Sequence, residues 1–183
     1  ASKLTRADRA IVRLADGTVK QQNLLTGTEV WTVPGRGNRP LTAPHADHNP
    51  IDHEADGHHC AFCCGRYLET PPEKSRLVRH EDGSWEQLNA LGADQLGDTV
   101  AEFRRIPNLF EIVSYNYWHL NHGHVPSEDD RRRMAQYLAS DAGYEHVMNV
   151  VRARMLASGM SEGEFAATSE TARLQYANGF FSG

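Results

Sequence analysis

The chain has 183 residues, with 19 Lys and Arg against 24 Asp and Glu, and therefore a formal net charge of −5. This length is enough for one medium domain or two small ones with a buried core. The acidic balance disfavours a protein that binds nucleic acid through its phosphates. The longest apolar runs are too short to cross a bilayer and the N-terminus lacks the apolar core of a signal peptide, which predicts a cytoplasmic protein that does not contact membranes.

The first forty residues are predicted to form a small antiparallel meander. Apolar and β-branched runs lie at 10–12, 18–20 and 29–33, and the turn signal Asp16-Gly17 separates the first two. Prolines and glycines in 34–40 then end the last strand, because proline removes a backbone donor and glycine favours loop geometry. This segment is predicted to be a basic loop.

Strand signals recur in the middle of the chain. Residues 77–80 and 85–88 flank the turn signal at 81–84, as in a β-hairpin. The β-branched and aromatic residues of 102–117 predict one more strand. A mostly antiparallel sheet is therefore expected in the region 1–125.

Helix signals dominate the region 126–183. Residues 127–138 begin with a serine N-cap and three acidic residues, a typical first helical turn. Residues 141–157 carry apolar side chains at helical spacing, and 161–178 predict a third helix. Phe180 and Phe181, near the end of the chain, have no evident partner for burial. The predicted fold class is α+β, with a sheet domain at 1–125 and a helical segment at 126–183.

All three cysteines lie within residues 60–64, too close together for a disulfide framework. Cys60 and Cys63 are two residues apart, a spacing that lets two thiolates bind one tetrahedral Zn²⁺. A structural site needs two more ligands, and the polar segment 44–59 offers several histidines: His45, His48, His53, His58 and His59. The sequence predicts zinc. The alternatives are two buried thiols beside solvated histidines, or a redox dithiol in a context that does not match one.

Two further groups of residues could carry chemistry. Arg36 and Arg39 lie in the basic loop, where paired guanidiniums can bind phosphate oxygens, although loop arginines are often only solvated. His119, His122 and His124 form a second histidine cluster. If they alternated on a strand, they could include a nucleotidyl-transfer nucleophile. A structural loop is the favoured interpretation, because Gly123 suits a turn and a helix cap follows.

Four motifs follow one another between residues 18 and 117. They are Asn23-Leu24-Leu25-Thr26-Gly27; Pro34 with Arg36 and Arg39-Pro40; Cys60-Ala61-Phe62-Cys63-Cys64-Gly65 with Thr70-Pro71-Pro72-Glu73; and Arg105-Ile106-Pro107-Asn108-Leu109-Phe110. In this order they resemble the N-terminal half of galactose-1-phosphate uridylyltransferases, and more closely the actinobacterial branch of that histidine-triad superfamily. The helical segment looks like an insertion shared with that branch.

The resemblance implies an antiparallel sheet of the histidine-triad or uridylyltransferase-like half-barrel type with a C-terminal helical insertion. It also implies a zinc-containing enzyme that transfers a nucleoside monophosphate between sugar phosphates through a nucleotidyl-histidine intermediate. The matching positions are Arg36 and Arg39 near the phosphates, Cys60 and Cys63 as zinc thiolates, and Asn108 and Phe110 in the nucleoside pocket. Gly35, Cys64 and Leu109 depart from the residues usual in the family.

The family's nucleophilic histidine has no counterpart in this sequence, so the chain is expected to be an N-terminal part that is inactive alone. In the full-length protein, the expected partner is a nucleotide-sugar or a sugar phosphate, and a homodimer is possible. The alternative function is a non-enzymatic, zinc-stabilised protein-interaction module. Nucleotide binding separates the two hypotheses.

Overall fold

The computed structural model describes residues 10–34, 54, 62, 65–108 and 113–182. In these residues the protein is α+β, with two antiparallel three-stranded sheets and five α-helices. The predicted fold class is thus confirmed at this level, although the strands form two sheets. None of the described helices has the length and apolar character that crossing a membrane requires.

The first sheet is the meander predicted from the sequence. Its strands are β1 (Ile11–Arg13), β2 (Val19–Gln22) and β3 (Glu29–Thr32), in the order β1-β2-β3. Gly17 adopts a φ of 87° in the first turn, a conformation that favours glycine. Asp16 stabilises the same turn by accepting hydrogen bonds from the backbone and hydroxyl of Thr18.

The second sheet contains the predicted hairpin. Strands β4 (Ser75–Arg79) and β5 (Trp85–Asn89) flank a turn in which Gly83 has a φ of 83°. Strand β6 (Phe103–Arg105) pairs with the other side of β4, so the order is β5-β4-β6. Short 3-10 helices at Tyr67–Glu69 and Ala93–Gln95 precede and follow the hairpin.

Among the described residues of 102–117, the predicted strand is β6 alone, and the end of that segment is helical. Helix α1 spans Tyr115–His122, because the Ser114 side chain accepts the Tyr117 backbone N–H and so begins a helix where the aromatic spacing indicated a strand. Gly123, with a φ of 63°, ends it. The loop predicted for the histidine cluster is therefore wrong for His119 and His122, which lie on α1.

The helical region follows the sequence signals closely. Helices α2 (Glu128–Leu138) and α3 (Asp141–Ala157) occupy the predicted positions, each with a serine N-cap. The third predicted helix is divided into α4 (Glu162–Ala167) and α5 (Glu170–Phe181), because Thr168 is extended and Ser169 caps a new helix.

The main apolar core lies between α3 and α5. Its buried members are Val147, Val150, Val151, Met155, Ala177, Phe180 and Phe181. The expectation that the two final phenylalanines lack a burial partner is wrong, since α5 continues through them and both are at most 3% exposed.

Candidate functional site

The end of strand β6 opens onto a cavity of about 490 Å³, which we call the Asn108 cavity. It is lined by Phe62, Arg104, Arg105, Ile106 and Asn108. Pro107 follows the strand and cannot donate to a ladder, so the chain leaves the sheet here. Asn108, which the resemblance assigns to the nucleoside pocket, is exposed and lies in the segment directly after β6. Phe62, which lies between Cys60 and Cys63 in sequence, is on the wall of the same cavity.

A buried group of charges, the ion cluster, stands behind this cavity. It consists of three charged residues, Glu73, Arg76 and Arg104, together with the Tyr67 ring that both guanidiniums contact. The side chains of Glu73 and Arg76 are 0% exposed, and Arg76 Nε donates to Glu73 Oε1 at 2.5 Å. Arg104 Nε donates to Glu73 Oε2 at 2.6 Å. One carboxylate therefore bridges two guanidiniums.

Strand pairing explains why the two arginines meet. Arg76 on β4 lies directly opposite Arg104 on β6 in the antiparallel ladder, a position at which like charges repel. Glu73 relieves this repulsion, and the two guanidinium carbons lie 4.6 and 4.5 Å from the centre of the Tyr67 ring. Such cation–π contacts strengthen where water is excluded.

The ion cluster carries one more positive charge than negative, and its hydrogen bonding is incomplete. Arg76 Nη1 donates to the carbonyls of Leu96 and Thr99, and Arg104 Nη2 donates to Thr70 Oγ1. Arg76 Nη2 and Arg104 Nη1 are buried with no hydrogen-bond partner. Buried nitrogens without a partner are uncommon. The N–H groups of these two nitrogens and the excess positive charge are therefore not fully compensated within the cluster.

A hydrogen-bonded chain joins this region to the helices. His146 Nε2 lies 2.8 Å from the carbonyl oxygen of Thr70, and His146 Nδ1 lies 2.6 Å from the Tyr137 hydroxyl. A carbonyl only accepts, so Nε2 donates and Nδ1 accepts the tyrosine proton. Burial lowers the pKa of His146, and Arg104 lowers it further against the effect of the Thr70 bond. Burial raises the pKa of Tyr137. At neutral pH both shifts favour the uncharged forms, a neutral histidine and a protonated phenol.

A second cavity, of about 230 Å³, adjoins the Tyr137 side chain of this hydrogen-bonded network. We call it the Arg133 cavity. Helix α2 contributes Arg133, Gln136 and Tyr137 to its wall. The other lining residues are Pro72, Glu73, Ala90, Leu91, Gly92 and Phe181. Glu73 therefore belongs both to the ion cluster and to this wall.

The histidine cluster packs against aromatic rings. His119 stacks on Tyr115 with the ring centres 5.9 Å apart, and His122 lies 5.2 Å from Trp118. His119 Nδ1 lies 2.8 Å from the carbonyl oxygen of His124 and therefore donates to it. These contacts give the histidines a packing role.

The sequence-predicted site residues fall into two groups. Asn108 is described and lines a cavity. Five others lie outside the described residues: Arg36, Arg39, Cys60, Cys63 and Phe110. The histidines that are candidates for further zinc ligands, His45, His48, His53, His58 and His59, lie outside them as well. Within residues 10–34, 54, 62, 65–108 and 113–182, no group of three or more potential ligands could hold a metal ion.

Sequence reasoning missed the ion cluster. Of its members, only Glu73 belongs to one of the sequence motifs, Thr70-Pro71-Pro72-Glu73. The available signal was Arg76, a charge at the inward position of a strand two residues before Val78, since alternate residues share one face. A charge on a buried face requires a partner.

Comparisons with known proteins give one match. No curated protein and no solved structure matches the chain. A family model described as a domain of unknown function, DUF4921, matches residues 14–183. The matched segment includes β2 and β3 of the first sheet, the whole second sheet, all five described helices and the residues that line the two cavities. The chain belongs to the DUF4921 family.

Proposed function

We propose that this chain is the nucleotide-binding part of a zinc-containing nucleotidyltransferase, one that transfers a nucleoside monophosphate between sugar phosphates. The observation that carries the proposal is the Asn108 cavity. It brings together two motifs that are far apart in sequence, the segment of Phe62 and the exit of β6. Both motifs belong to the resemblance with galactose-1-phosphate uridylyltransferases.

The cavity has the size and the side chains that a nucleotide requires. Its volume of about 490 Å³ lies within the range of small-molecule sites. The Phe62 ring offers an apolar surface for a base, and the Asn108 amide both donates and accepts hydrogen bonds. Arg105 supplies a guanidinium suited to phosphate oxygens. The proposed ligand is a nucleoside diphosphate or a nucleotide-sugar.

The remaining parts of the proposal concern residues outside the described part of the chain. Arg36 and Arg39 would bind the phosphates on which charge develops during transfer. Cys60 and Cys63 would hold a structural Zn²⁺ as thiolates, and Phe110 would complete the nucleoside pocket. A metal held by these two thiolates would also restrain Phe62, which lies between them. We further propose that the two sheets belong to a fold of the histidine-triad half-barrel type.

Isothermal titration of the purified chain with several nucleoside diphosphates tests the proposal. Asn108→Ala should weaken the best ligand about tenfold, the loss expected for one good hydrogen bond. Phe62→Ala should also weaken it. Phe103→Ala is the matched control, because Phe103 is 63% exposed against 62% for Phe62 but does not line the cavity.

Two outcomes would contradict the proposal. Equal affinities in the chain and in both cavity variants would place the nucleotide elsewhere. Absence of binding for every nucleoside diphosphate, together with a protein partner that co-purifies, would favour the zinc-stabilised interaction module. Zinc is tested separately: because the resemblance puts the other ligands in the second half, metal analysis of this chain should find either no Zn²⁺ or Zn²⁺ that a chelator removes, and Cys60→Ser should abolish any that is bound.

A further inference from the structure

One side of the second sheet carries a group of exposed side chains. In the antiparallel register, Leu77 on β4 lies opposite Gln87 on β5 and Phe103 on β6, and Arg79 lies opposite Trp85. Residues directly opposite each other project from the same side of a sheet, as do alternate residues of one strand. We call this side the Trp85 face. Leu77 is half-buried, the other four residues are exposed, and the ion cluster lies on the opposite side of the sheet.

Two aromatic rings form the centre of the Trp85 face. Trp85 is 52% exposed and Phe103 is 63% exposed. Their strands lie on either side of β4, yet the ring centres are only 6.2 Å apart, at an interplanar angle of 36°. The rings therefore lean toward each other over the central strand and form one aromatic surface. Contiguous exposed apolar surface marks an interaction site more often than single exposed side chains do.

Polar side chains suited to a ligand surround the two rings. The Arg79 guanidinium carbon lies 5.9 Å from the centre of the Trp85 ring, and Arg105 is on the same side of the sheet, at the end of β6. Gln87 Nε2 donates to Asn89 Oδ1 at 2.9 Å, which leaves the Gln87 amide oxygen as an acceptor and the Asn89 amide nitrogen as a donor. The three strands place no carboxylate on this face. The Trp85 face thus combines aromatic, amide and cationic groups.

The dimensions and the charge of the Trp85 face favour a small anionic occupant. Three strands of at most five residues, about 4.8 Å apart, cover about 10 Å by 17 Å, whereas a stable protein partner requires about 800 Å² on each side. A second copy of the chain would bring arginines against arginines, with no carboxylate of this face between them. A polynucleotide would extend beyond the face onto a protein with a net charge of −5. A single ring with a negative charge meets neither obstacle.

We propose that the Trp85 face binds an acidic sugar, a single ring that carries a carboxylate or a phosphate ester. The C–H groups on one side of a sugar ring carry partial positive charge, which is attracted to the negative face of an aromatic ring. Sugar hydroxyls donate and accept hydrogen bonds, as the amides of Gln87 and Asn89 do. The anionic group binds the Arg79 guanidinium, which already lies against the Trp85 ring. The site goes beyond the proposed function, because neither aromatic ring lines the Asn108 cavity.

Calorimetric titration of the chain with glucuronate and with glucose 6-phosphate tests the site, with uncharged glucose as the comparison. At least one acidic sugar should bind more tightly than glucose, and the tighter of the two identifies the anionic group. Trp85→Ala, Phe103→Ala and Arg79→Gln should each raise its dissociation constant about tenfold, as expected for the loss of one stacking or charge-assisted contact. Trp85→Phe should retain most of the affinity because a ring remains. Far-UV circular dichroism and thermal melting establish that each variant is folded.

Arg132→Gln and Leu120→Ala are the matched controls, for charge and for exposed apolar surface. Arg132 on α2 has a side chain that is 61% exposed, and Leu120 on α1 is 54% exposed, close to the value for Trp85. Neither change should alter the affinity for the acidic sugar. Weakening in the controls equal to that in the three site variants would overturn the proposal.

Three other results would also overturn it. The first is the absence of binding of either acidic sugar by the unaltered chain. The second is a nucleoside such as uridine that binds more tightly than both sugars and loses affinity in Trp85→Ala, since the rings would then stack on a base. The third is a dimer of the chain, detected by sedimentation, that Trp85→Ala dissociates.

The result is separable from the proposed nucleotide function. Phe103→Ala should weaken the acidic sugar and leave a nucleoside diphosphate unaffected, and Asn108→Ala should do the reverse. If an acidic sugar binds through Trp85 and Phe103 while no nucleoside diphosphate binds, the sugar site stands and the nucleotide proposal fails. If a nucleoside diphosphate binds through Asn108 while no acidic sugar binds, the nucleotide proposal stands and the sugar site fails.

Discussion

The second sheet and the helical region are stabilised by different physical means. The second sheet is built around buried charges, with Glu73 between Arg76 and Arg104, whereas helices α3 and α5 pack around apolar side chains such as Val151 and Phe180. Removing one member of a buried ion group leaves an uncompensated charge, whereas removing an apolar side chain leaves a cavity. The sheet region should therefore be sensitive to charge and the helical region to volume.

The largest effect is expected for Glu73→Gln, which keeps the volume and removes the charge. Two buried guanidiniums then lose their counter-ion, and the free energy of unfolding should fall by about 3–5 kcal/mol. Urea denaturation measures this loss. Glu69→Gln is the control, because Glu69 pairs with Arg66 at an exposed position and should change little. Equal losses of unfolding free energy in the two variants would contradict the charge sensitivity expected for the sheet region.

Phe180→Ala should destabilise the helical core by about 3 kcal/mol, near the lower end for a buried phenylalanine. Phe180 is 2% exposed and lies against Arg154 and Tyr176, whose side chains can move toward the space left behind. Denaturant melts should show this loss with little dependence on salt. A cost below that of Phe103→Ala, at an exposed position, would contradict the packing described for α5.

Protonation of His146 should weaken the junction between the halves at mildly acidic pH. The folded state lowers the pKa of His146 below its ordinary 6.5, so the neutral form is favoured by folding. The resulting stability is complete above pH 6.5 and is lost as the pH falls below that value toward the folded-state pKa. Unfolding free energies measured from pH 7 to 5 should fall.

His146→Gln should flatten this fall, because the titrating group is gone. The exposed His80→Gln is the matched control and should retain the pH dependence of the unaltered chain. A pH profile that is the same in all three proteins would exclude His146 as the source of the acid sensitivity.

The smallest effect belongs to a helix cap. Ser169 begins α5 by accepting the Ala172 backbone N–H at 3.3 Å, and Ser169→Ala should cost about 1 kcal/mol. Thermal melting measures the change. Ser169→Asp should restore the stability because aspartate is also a good N-cap. Failure of this rescue would show that the division between α4 and α5 does not depend on the cap.

The sequence predicted most of the local structure and little of the site. Glycine turns and serine N-caps depend on interactions within a few residues of sequence. The first meander, the β4–β5 hairpin, α2 and α3 could therefore all be located from the sequence. The ion cluster depends on β6 pairing with β4 so that Arg76 faces Arg104, a long-range arrangement that no local pattern encodes. The burial of Phe180 and Phe181 likewise required knowing that α5 packs on α3.

The hydrogen bond from His146 to Thr70 has a consequence for how the protein opens. It joins residues 76 positions apart, whereas the hairpins and helix pairs are closed by neighbours in sequence. Opening the helical region alone would leave the buried Thr70 carbonyl without a donor. The two regions should therefore open as one cooperative unit, and backbone amides of β4 and α3 should exchange with deuterium at similar slow rates.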